Sequence, residues 1–242
     1  MITDNAHRLD GIPFLSCLGP EELNNIAKRC RWRRYRAHEQ ILDKDSTDSD
    51  VYFVVSGAVE IVNYSMTGRE VAFAVLRPGG LFGELSAIDG QPRSASVVAV
   101  KDSLLASMPA SLFTHLVVAH PEMVILLLKS LARIVRVNTE RIMDLSTLGA
   151  VQRVYLEIIR LADEHQPTDG QEWRIAPVPT QKSIASRAST TRETVARSMS
   201  QLISAGIIAR RRDGLLIEDF DRLQRLAGAL DAKWAYEAAP TN

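Results

Sequence analysis

Residues 83–95 read GELSAIDGQPRSA, a short segment in which one acidic group lies among several groups that can bind an anion. Gly83 opens a turn whose backbone N–H groups are not screened by a side chain. Arg93 offers a planar guanidinium that matches two phosphate oxygens, and Ser94 adds a hydroxyl donor. Glu84 is an acceptor and suits a sugar hydroxyl. The set fits a ribose beside a phosphate, as in a cyclic nucleotide; the alternative is a surface loop with a Glu84–Arg93 ion pair.

The sequence around this segment is typical of a small β-sandwich or roll. Apolar and β-branched runs lie at 51–55, 58–64, 71–76, 94–100 and 104–108. Turn signals separate them, at Ser56-Gly57, Thr67-Gly68 and Pro78-Gly79-Gly80. Many short strands at about ten-residue spacing favour this architecture. Before them, residues 13–37 are predicted to form short helices, one of which begins at Pro20.

A long helix is predicted to begin near Pro121. Its seam positions are spaced alternately by four and three residues over about three and a half heptads. They are Val124, Leu128, Leu131, Val135, Asn138, Ile142, Leu145 and Gly149. A second copy of the helix is the simplest partner, so we expect a two-fold symmetric homodimer through residues 121–149; packing on its own domain is the alternative. Asn138, the polar exception, either pairs with its symmetry mate or faces a polar ligand.

The residues after Gly149 are predicted to form a winged helix-turn-helix. Thr180 suits the N-cap of a helix over 181–188, and a tight turn leads to a second helix from Arg192 to about Ala205. A hairpin that turns at Asp213-Gly214 would form the wing, with Arg210, Arg211 and Arg212 at its tip. A further helix is predicted in the tail, residues 220–242, without an assigned role.

The formal net charge is zero, but the basic residues are clustered. Residues 174–212 hold eight basic residues and one acidic residue, a local charge of +7. DNA affinity depends on such clusters near phosphates, although a basic face without a partner is the alternative. Arg192, Glu193 and Arg197 begin the second helix, where they suit base edges. The alternative for Glu193 and Arg197 is an ordinary ion pair along the helix.

Composition and scattered residues argue against several other classes. Hydrophobic residues at 46% and charged residues at 24% are ordinary for a soluble protein, and no apolar run reaches the length of a membrane span. The N-terminus does not resemble a secretory signal, so we expect a cytoplasmic protein. Cys17 and Cys30 are predicted to be free thiols, too few for an iron–sulfur cluster. Scattered histidines suggest no metal or haem site, and the absence of a catalytic set suggests that the chain is not an enzyme.

Two segments resemble one family of bacterial transcription regulators. FGELSAIDGQPRSASVVA at 82–99 resembles the phosphate-binding cassette of the cyclic-AMP receptor protein and fumarate-nitrate regulator family, and TTRETVAR at 190–197 resembles the start of its DNA-recognition helix. The resemblance implies an α+β chain in three parts. These are a cyclic-nucleotide-binding β-roll over 1–120, a dimerisation helix over 121–149 and a winged helix-turn-helix over 150–242. It also implies cyclic AMP or cyclic GMP as ligand, and double-stranded DNA and RNA polymerase as partners.

The resemblance also assigns residues to the two sites. The ligand residues would be Gly83, Glu84, Leu85, Ser86, Arg93, Ser94, Asn138 and Thr139. The DNA residues would be Thr180, Lys182, Thr191, Arg192, Glu193, Arg197, Arg210, Arg211 and Arg212. Of these, Thr180, Lys182 and Thr191 suit phosphates, and the Arg-Glu-Arg set would read a half-site resembling TGTGA. Asn138 replaces a hydroxyl residue of the family's purine contact, which leaves the choice between the two nucleotides open.

Two alternatives remain at this point. One is a cyclic-nucleotide-binding regulatory subunit whose C-terminal domain docks protein, which the basic run 174–212 disfavours. The other is a DNA-binding regulator with a vestigial cassette, which the intact Gly83, Glu84, Arg93 and Ser94 disfavour.

Overall fold

A computed structural model describes residues 8–68, 70–164, 172–212 and 214–228 of the chain. The chain divides into two compact units, Met1–Val137 and Asn138–Asn242. The first is a β-roll with flanking helices and the second is a winged helix-turn-helix, which confirms the predicted α+β class. The predicted division into 1–120, 121–149 and 150–242 stays a prediction, because the boundary between the units lies inside the long helix.

The first unit consists of short N-terminal helices, one antiparallel sheet and the helices that follow it. After a 3-10 turn at Pro13–Leu15, the elements are α1 Pro20–Arg29, β1 Arg31–Tyr35, β2 Gln40–Leu42, β3 Val51–Tyr64, β4 Glu70–Leu76, β5 Leu81–Phe82, α2 Glu84–Asp89, β6 Ser96–Met108, α3 Ala110–Ala119 and α4 Pro121–Thr147. The strand order is β1-β6-β3-β4, with β2 also paired to β6 and β5 to β3. The sheet thus puts the cassette, residues 83–95, in the connection between β5 and β6.

Strands β3 and β6 are longer than the sequence predicts. The expected turn at Ser56-Gly57 is a bulge inside β3, where Gly57 has φ +92° and the register with β6 shifts. The Ser103 hydroxyl accepts a hydrogen bond from the backbone N–H of Ala58 at 3.0 Å across this irregularity. The runs 51–55 and 58–64 are therefore one strand, and 94–100 and 104–108 contribute to another. A glycine with positive φ is compatible with a turn or with a bulge, so only the pairing with β6 determines which of the two forms at Ser56-Gly57.

Residues 31–35 form a strand, so the prediction of helices throughout 13–37 is wrong in this part. Helix α1 ends at Arg29, and β1 pairs with residues 103–107 of β6. Three of its five side chains are exposed arginines, which hide the apolar alternation of a half-buried strand. The pairing with β6, rather than local pattern, makes this segment extended.

Two hydrophobic cores support the roll. One lies between the sheet and the helices and contains Phe53, Met108 and Phe113, with Phe14 stacked on Phe113 at 5.6 Å between ring centroids. The other fills the inside of the roll and includes Val54, Val59, Phe82, Val97 and Leu105. Adjacent residues of the first part of β3, Val51–Val55, face opposite cores, so this part of the strand is covered on both faces and joins the two cores.

Helix α4 begins at Pro121 as predicted, and much of its seam is exposed in the single chain. Leu128, Val135 and Ile142 have 55%, 63% and 64% of their surface exposed. Within the described residues no single helix is long and apolar enough to cross a membrane. Helices α3 and α4 would meet the requirement together, but they are bent by 112° at the break between them.

The second unit is a helical core with a small sheet. Its elements are α5 Ala150–Asp163, β7 Arg174–Ile175, α6 Gln181–Arg187, α7 Arg192–Ser204, β8 Ile208–Arg211, β9 Gly214–Ile217 and α8 Phe220–Ala227. The strand order is β7-β9-β8, and the core includes Ile158, Val195, Leu202, Ile207 and Leu223. The predicted helix-turn-helix and the wing strands are present. Asp213, at the predicted wing turn, and residues 229–242 of the predicted tail helix lie outside the described residues.

The bulge in β3 gives the first testable prediction. A Cβ on Gly57 would lie 2.1 Å from Ser103 Oγ and 2.5 Å from the Asp102 carbonyl oxygen, at a φ that L residues rarely adopt. Gly57→Ala should therefore lower the free energy of unfolding in urea by about 2–4 kcal/mol. Gly68→Ala is the matched control, since Gly68 also has positive φ but nothing within 4 Å of its Cβ position; it should cost about 1 kcal/mol. Equal losses would contradict the steric role of the bulge.

Candidate functional site

The cassette begins at Gly83, which has φ +85° and forms the N-cap of α2. The expected turn is thus followed by a short helix. A Cβ on Gly83 would lie 2.6 Å from Arg93 Nη1 and 2.8 Å from the Asp50 carbonyl oxygen. Glycine is required here because the guanidinium of Arg93 passes directly against the backbone.

Arg93 is the centre of the cassette, and only 3% of its surface is exposed. Its Nη1 donates to the Gly83 carbonyl at 2.8 Å and its Nη2 to the Asp50 carbonyl at 2.6 Å. Nε and Nη2 both donate to Asp48 Oδ2, at 3.0 and 2.8 Å. The carboxylate that pairs with Arg93 is therefore Asp48, so the alternative Glu84–Arg93 ion pair is wrong.

Asp48 was not identified from the sequence as a site residue. It lies 45 positions from Arg93, in a run of aspartates just before β3. Backbone hydrogen bonds join this run to the cassette: Asp45 N–H donates to the Arg93 carbonyl, and Arg93 N–H to the Ser46 carbonyl, both at 2.9 Å. The cluster of aspartates just before the apolar strand β3 is the sequence feature that could have indicated Asp48 as a site residue.

The remaining cassette residues differ in exposure. Glu84 and Ser86 are buried, while Leu85 and Ser94 are exposed. Burial raises the pKa of Glu84, an effect that its own backbone N–H and the positive charge of Arg93 partly offset. The Ser94 carbonyl accepts from Asn63 Nδ2 at 3.2 Å. Glu84, Ser86 and Arg93 thus form the enclosed part of the cassette.

An aromatic pair lies beside the guanidinium. The Tyr52 ring stacks on Phe82 with centroids 5.1 Å apart, and Arg93 Cζ lies 5.8 Å from the Tyr52 centroid. Burial is the main cause that raises the pKa of Tyr52 to about 12, so the phenol stays neutral at physiological pH. Tyr52 therefore adds a π face, but no charge, beside Arg93.

Asn138 and Thr139 are exposed on α4 and belong to the second unit. Their predicted contact with the purine stays a prediction.

The helix-turn-helix has the predicted cap at Thr180 and a second cap, at Thr191, that was not predicted from the sequence. Thr180 accepts from Ser183 N–H at 3.1 Å at the start of α6, and Thr191 accepts from Thr194 N–H at 3.2 Å at the start of α7. Val195, Met199 and Leu202 are buried on one face of α7. The predicted DNA residues of these helices are exposed: Thr180, Lys182, Thr191, Arg192, Glu193 and Arg197. The amphipathic pattern thus leaves the start of α7 exposed to solvent.

The carboxylate of Glu193 interacts with polar groups at the N-terminus of α7. Its own backbone N–H and the Thr191 hydroxyl lower its pKa, so the carboxylate is ionised at neutral pH. Among the ion pairs of the described chain, none joins Glu193 to Arg197. The ordinary helix ion pair considered from the sequence is therefore not formed.

Two arginines that the sequence reasoning missed hold the turn between α6 and α7. Arg153 of α5 donates to the carbonyls of Leu148, Ala188 and Ser189 at 2.7, 3.1 and 3.2 Å. Arg141 of α4 donates to the Arg187 carbonyl at 2.9 Å. Carbonyls at a helix end have no partners within the helix, so these guanidiniums satisfy them and fix the turn.

Arg187 is partly buried and pairs with acidic residues of its own unit. Its Nε lies 2.5 Å from Glu157 Oε1 and its Nη2 lies 2.8 Å from Glu164 Oε1. Burial raises the pKa of Glu157, although Arg187 and two neighbouring arginines oppose this shift. One charge of the local +7 is therefore neutralised within the protein, and the predicted basic face is smaller than the count suggests.

The wing contributes exposed arginines. Arg210 and Arg211 lie in β8 and Arg212 follows it, and all three are exposed. Arg211 forms an ion pair with Glu218 at 2.9 Å. A surface pair of this kind is weak, so it does not prevent Arg211 from reaching a phosphate.

Comparison with known proteins agrees with this arrangement. The sequence profile of the cyclic nucleotide-binding domain matches residues 32–120, and that of the Crp-like helix-turn-helix domain matches residues 152–226. A cyclic AMP receptor protein of Thermus thermophilus is 30% identical over 200 residues, which cover 83% of this chain and 89% of that protein. The chain belongs to the CRP/FNR family of transcription regulators. Members of this family are regulators, not enzymes.

Two further comparisons concern the sequence and the fold. A CRP-like cAMP-activated global transcriptional regulator of Mycobacterium tuberculosis is 29% identical over 192 residues, covering 79% of this chain and 85% of that protein. A CooA mutant structure from Carboxydothermus hydrogenoformans has the same fold, with a TM-score of 0.77 at 22% identity over 92% of this chain and 99% of that one. The cassette and the DNA residues lie inside the two matched ranges, whereas Asn138 and Thr139 lie between them.

The hydrogen bonds that Arg153 donates to the carbonyls around the turn between α6 and α7 give the second prediction. Arg153→Met removes three hydrogen bonds to carbonyls but keeps much of the side-chain volume, and it should destabilise the second unit by about 2–3 kcal/mol. Hydrogen exchange of the α7 amides should become faster. Arg192→Met is the control, because Arg192 is exposed at the start of α7 and its loss should leave exchange unchanged. Identical exchange in the two variants would show that Arg153 does not hold the turn.

Proposed function

We propose that the protein is a homodimeric transcription regulator that binds a cyclic nucleotide in its first unit and, with ligand bound, a palindromic DNA site. The observation that carries this proposal is the buried guanidinium of Arg93 in a glycine-opened cassette, in a chain that also has a helix-turn-helix with an exposed arginine-rich start. Cyclic AMP is our first candidate ligand, because the relatives from M. tuberculosis and T. thermophilus are named for cyclic AMP. Cyclic GMP is the second.

The ligand would use the enclosed and exposed parts of the cassette differently. The phosphate would bind the guanidinium of Arg93, the Ser94 hydroxyl and N–H groups at the start of α2. Glu84, buried and an acceptor when ionised, would bind the ribose hydroxyl. Leu85 and Ser86 would contribute backbone and side-chain contacts, and Asn138 and Thr139 would meet the purine. An amide both donates and accepts, so Asn138 would suit either purine.

The exposed seam of α4 supports the homodimer. Val135 and Ile142 are each more than 60% exposed in the single chain, and their spacing continues the heptad repeat. Apolar side chains in such a repeat gain stability when a second helix covers them. A symmetric dimer would also present two recognition helices to the two halves of a palindrome, about 34 Å apart.

On DNA, α7 would read bases and the surrounding residues would hold phosphates. Arg192 and Arg197 suit guanine and Glu193 suits the cytosine amino group, as expected for a half-site resembling TGTGA. Phosphate contacts would come from Thr180, Lys182, Thr191, Arg210, Arg211 and Arg212. RNA polymerase is the proposed protein partner of the complex.

A second candidate function is DNA binding without a ligand. The specific observation in its favour is that Asp48 already accepts hydrogen bonds from Nε and Nη2 of Arg93, two of the groups that a ligand phosphate would need.

The first experiment measures nucleotide affinity by calorimetry with and without saturating palindromic DNA. If the two sites are linked, DNA should tighten nucleotide binding by the same factor as nucleotide tightens DNA binding, a coupling of about 1–3 kcal/mol. A palindrome should shift in a gel only when cyclic AMP or cyclic GMP is added. A shift of equal strength without nucleotide would favour the second candidate.

The second experiment separates base reading from phosphate binding. Arg197→Ala should lose about 1–3 kcal/mol of discrimination at one guanine of the half-site. Arg212→Ala, the matched control from the wing, should weaken binding to all sequences alike and reduce its salt dependence. Binding curves on matched and point-mutated palindromes at two salt concentrations test both. A uniform loss in Arg197→Ala would show that Arg197 does not read a base.

A further inference from the structure

The guanidinium of Arg93 has one edge on which an external anion could make a two-point contact. Of its five N–H groups, four have partners: two donate to the backbone carbonyls of Gly83 and Asp50, and two donate to Asp48. The backbone carbonyls are fixed by α2 and β3. The edge formed by Nε and Nη2 is the one that could bind a phosphate through two hydrogen bonds, and Asp48 occupies it.

The Asp48 carboxylate accepts hydrogen bonds from Arg93 and Asp50, but it also lies close enough to solvent to rotate away from Arg93. Its Oδ2 accepts both bonds from Arg93, and its Oδ1 accepts from Asp50 N–H at 3.0 Å. Its side chain is 40% exposed, whereas the side chain of Arg93 is 2% exposed. Rotation of Asp48 toward solvent would therefore free the edge while Arg93 stays in place between its two carbonyl partners.

We propose that Asp48 is an internal competitor for the ligand phosphate: it neutralises Arg93 in the free protein and must leave the Nε–Nη2 edge when a cyclic nucleotide binds. This inference rests on the proposed function, because it concerns the regulation of the same site. A carboxylate and a phosphate that share one guanidinium edge repel each other, so the two anions bind alternately. Asp48 thus stabilises the free state and weakens ligand binding.

This role differs measurably from that of a residue that only orients Arg93. A competitor affects stability and affinity in opposite directions, since its loss leaves a buried charge unpaired in the free protein but removes a rival of the ligand. An orienting residue affects both in the same direction, since its loss disorders the group that binds the ligand.

The test uses the full chain and three variants. Asp48→Asn removes the charge with little change in shape, and Asp48→Ala removes all contact with Arg93. Asp45→Asn is the matched control, because Asp45 is an acidic residue of the same segment whose side chain is 79% exposed. Calorimetry with cyclic AMP and with cyclic GMP gives affinities, and thermal melts with and without nucleotide give stability.

We expect both Asp48 variants to bind nucleotide at least fivefold more tightly than the wild type. Without ligand they should melt at a lower temperature than the wild type, and added nucleotide should raise their melting temperature by more than it raises that of the wild type. Asp45→Asn should bind within twofold of the wild type. If the wild type does not bind but the Asp48 variants do, the proposal is also supported.

Three outcomes would overturn the proposal. If the wild type and Asp45→Asn bind but the Asp48 variants bind equally or more weakly, Asp48 is not a competitor, while the proposed function stands. If neither Asp48 variant folds even with nucleotide present, Asp48 is a structural partner that the ligand does not replace. If no protein in the set binds either nucleotide, the proposed function itself fails, and this inference fails with it.

Discussion

The cassette depends on the constraint that a buried positive charge must be neutralised. Removal of an ion from water costs several kcal/mol, and the cost is recovered only when well-placed acceptors surround the ion. Arg93 meets this condition through Asp48 and the carbonyls of Gly83 and Asp50. Gly83 must be glycine, because any side chain would occupy the space of the guanidinium. The segment before β3 is folded against the cassette for the same reason.

The second unit uses partly buried arginines in another way. Arg153 and Arg187 direct their guanidiniums inward, to the carbonyls of the helix-turn-helix turn and to Glu157 and Glu164. These contacts satisfy helix ends and fix the position of α7 within the unit. In the proposed function, the cations left at the surface, such as Arg197, would bind DNA from a rigid support. The partly buried arginines thus fix the geometry of the unit, while the exposed arginines would supply the affinity and base contacts that we propose.

The two proposed binding surfaces therefore treat their free cations differently. DNA is a polyanion that meets an open face, where water and salt ions solvate arginines such as Arg192 in the absence of DNA. A small ligand would enter a site whose guanidinium is buried, and there the Asp48 carboxylate neutralises the charge in the free protein. A ligand changes an equilibrium only through its different affinities for two states. Exchange of Asp48 for a phosphate at Arg93 would be one source of such a difference.

The sequence by itself determined the features that depend on neighbours a few residues apart. These are the cap Thr180, the heptad seam of α4, the buried face of α7 and the glycine and arginine of the cassette. Tertiary structure decided whether Ser56-Gly57 is a turn or a bulge, that 31–35 is a strand, and which carboxylate pairs with Arg93. Asp48 and Arg93 are 45 residues apart, and the folding of the segment before β3 against the cassette brings them together. A local sequence pattern indicates only which conformation a segment favours. The pairing of strands and the neutralisation of a buried charge depend on residues that are distant in sequence and meet only in the folded chain.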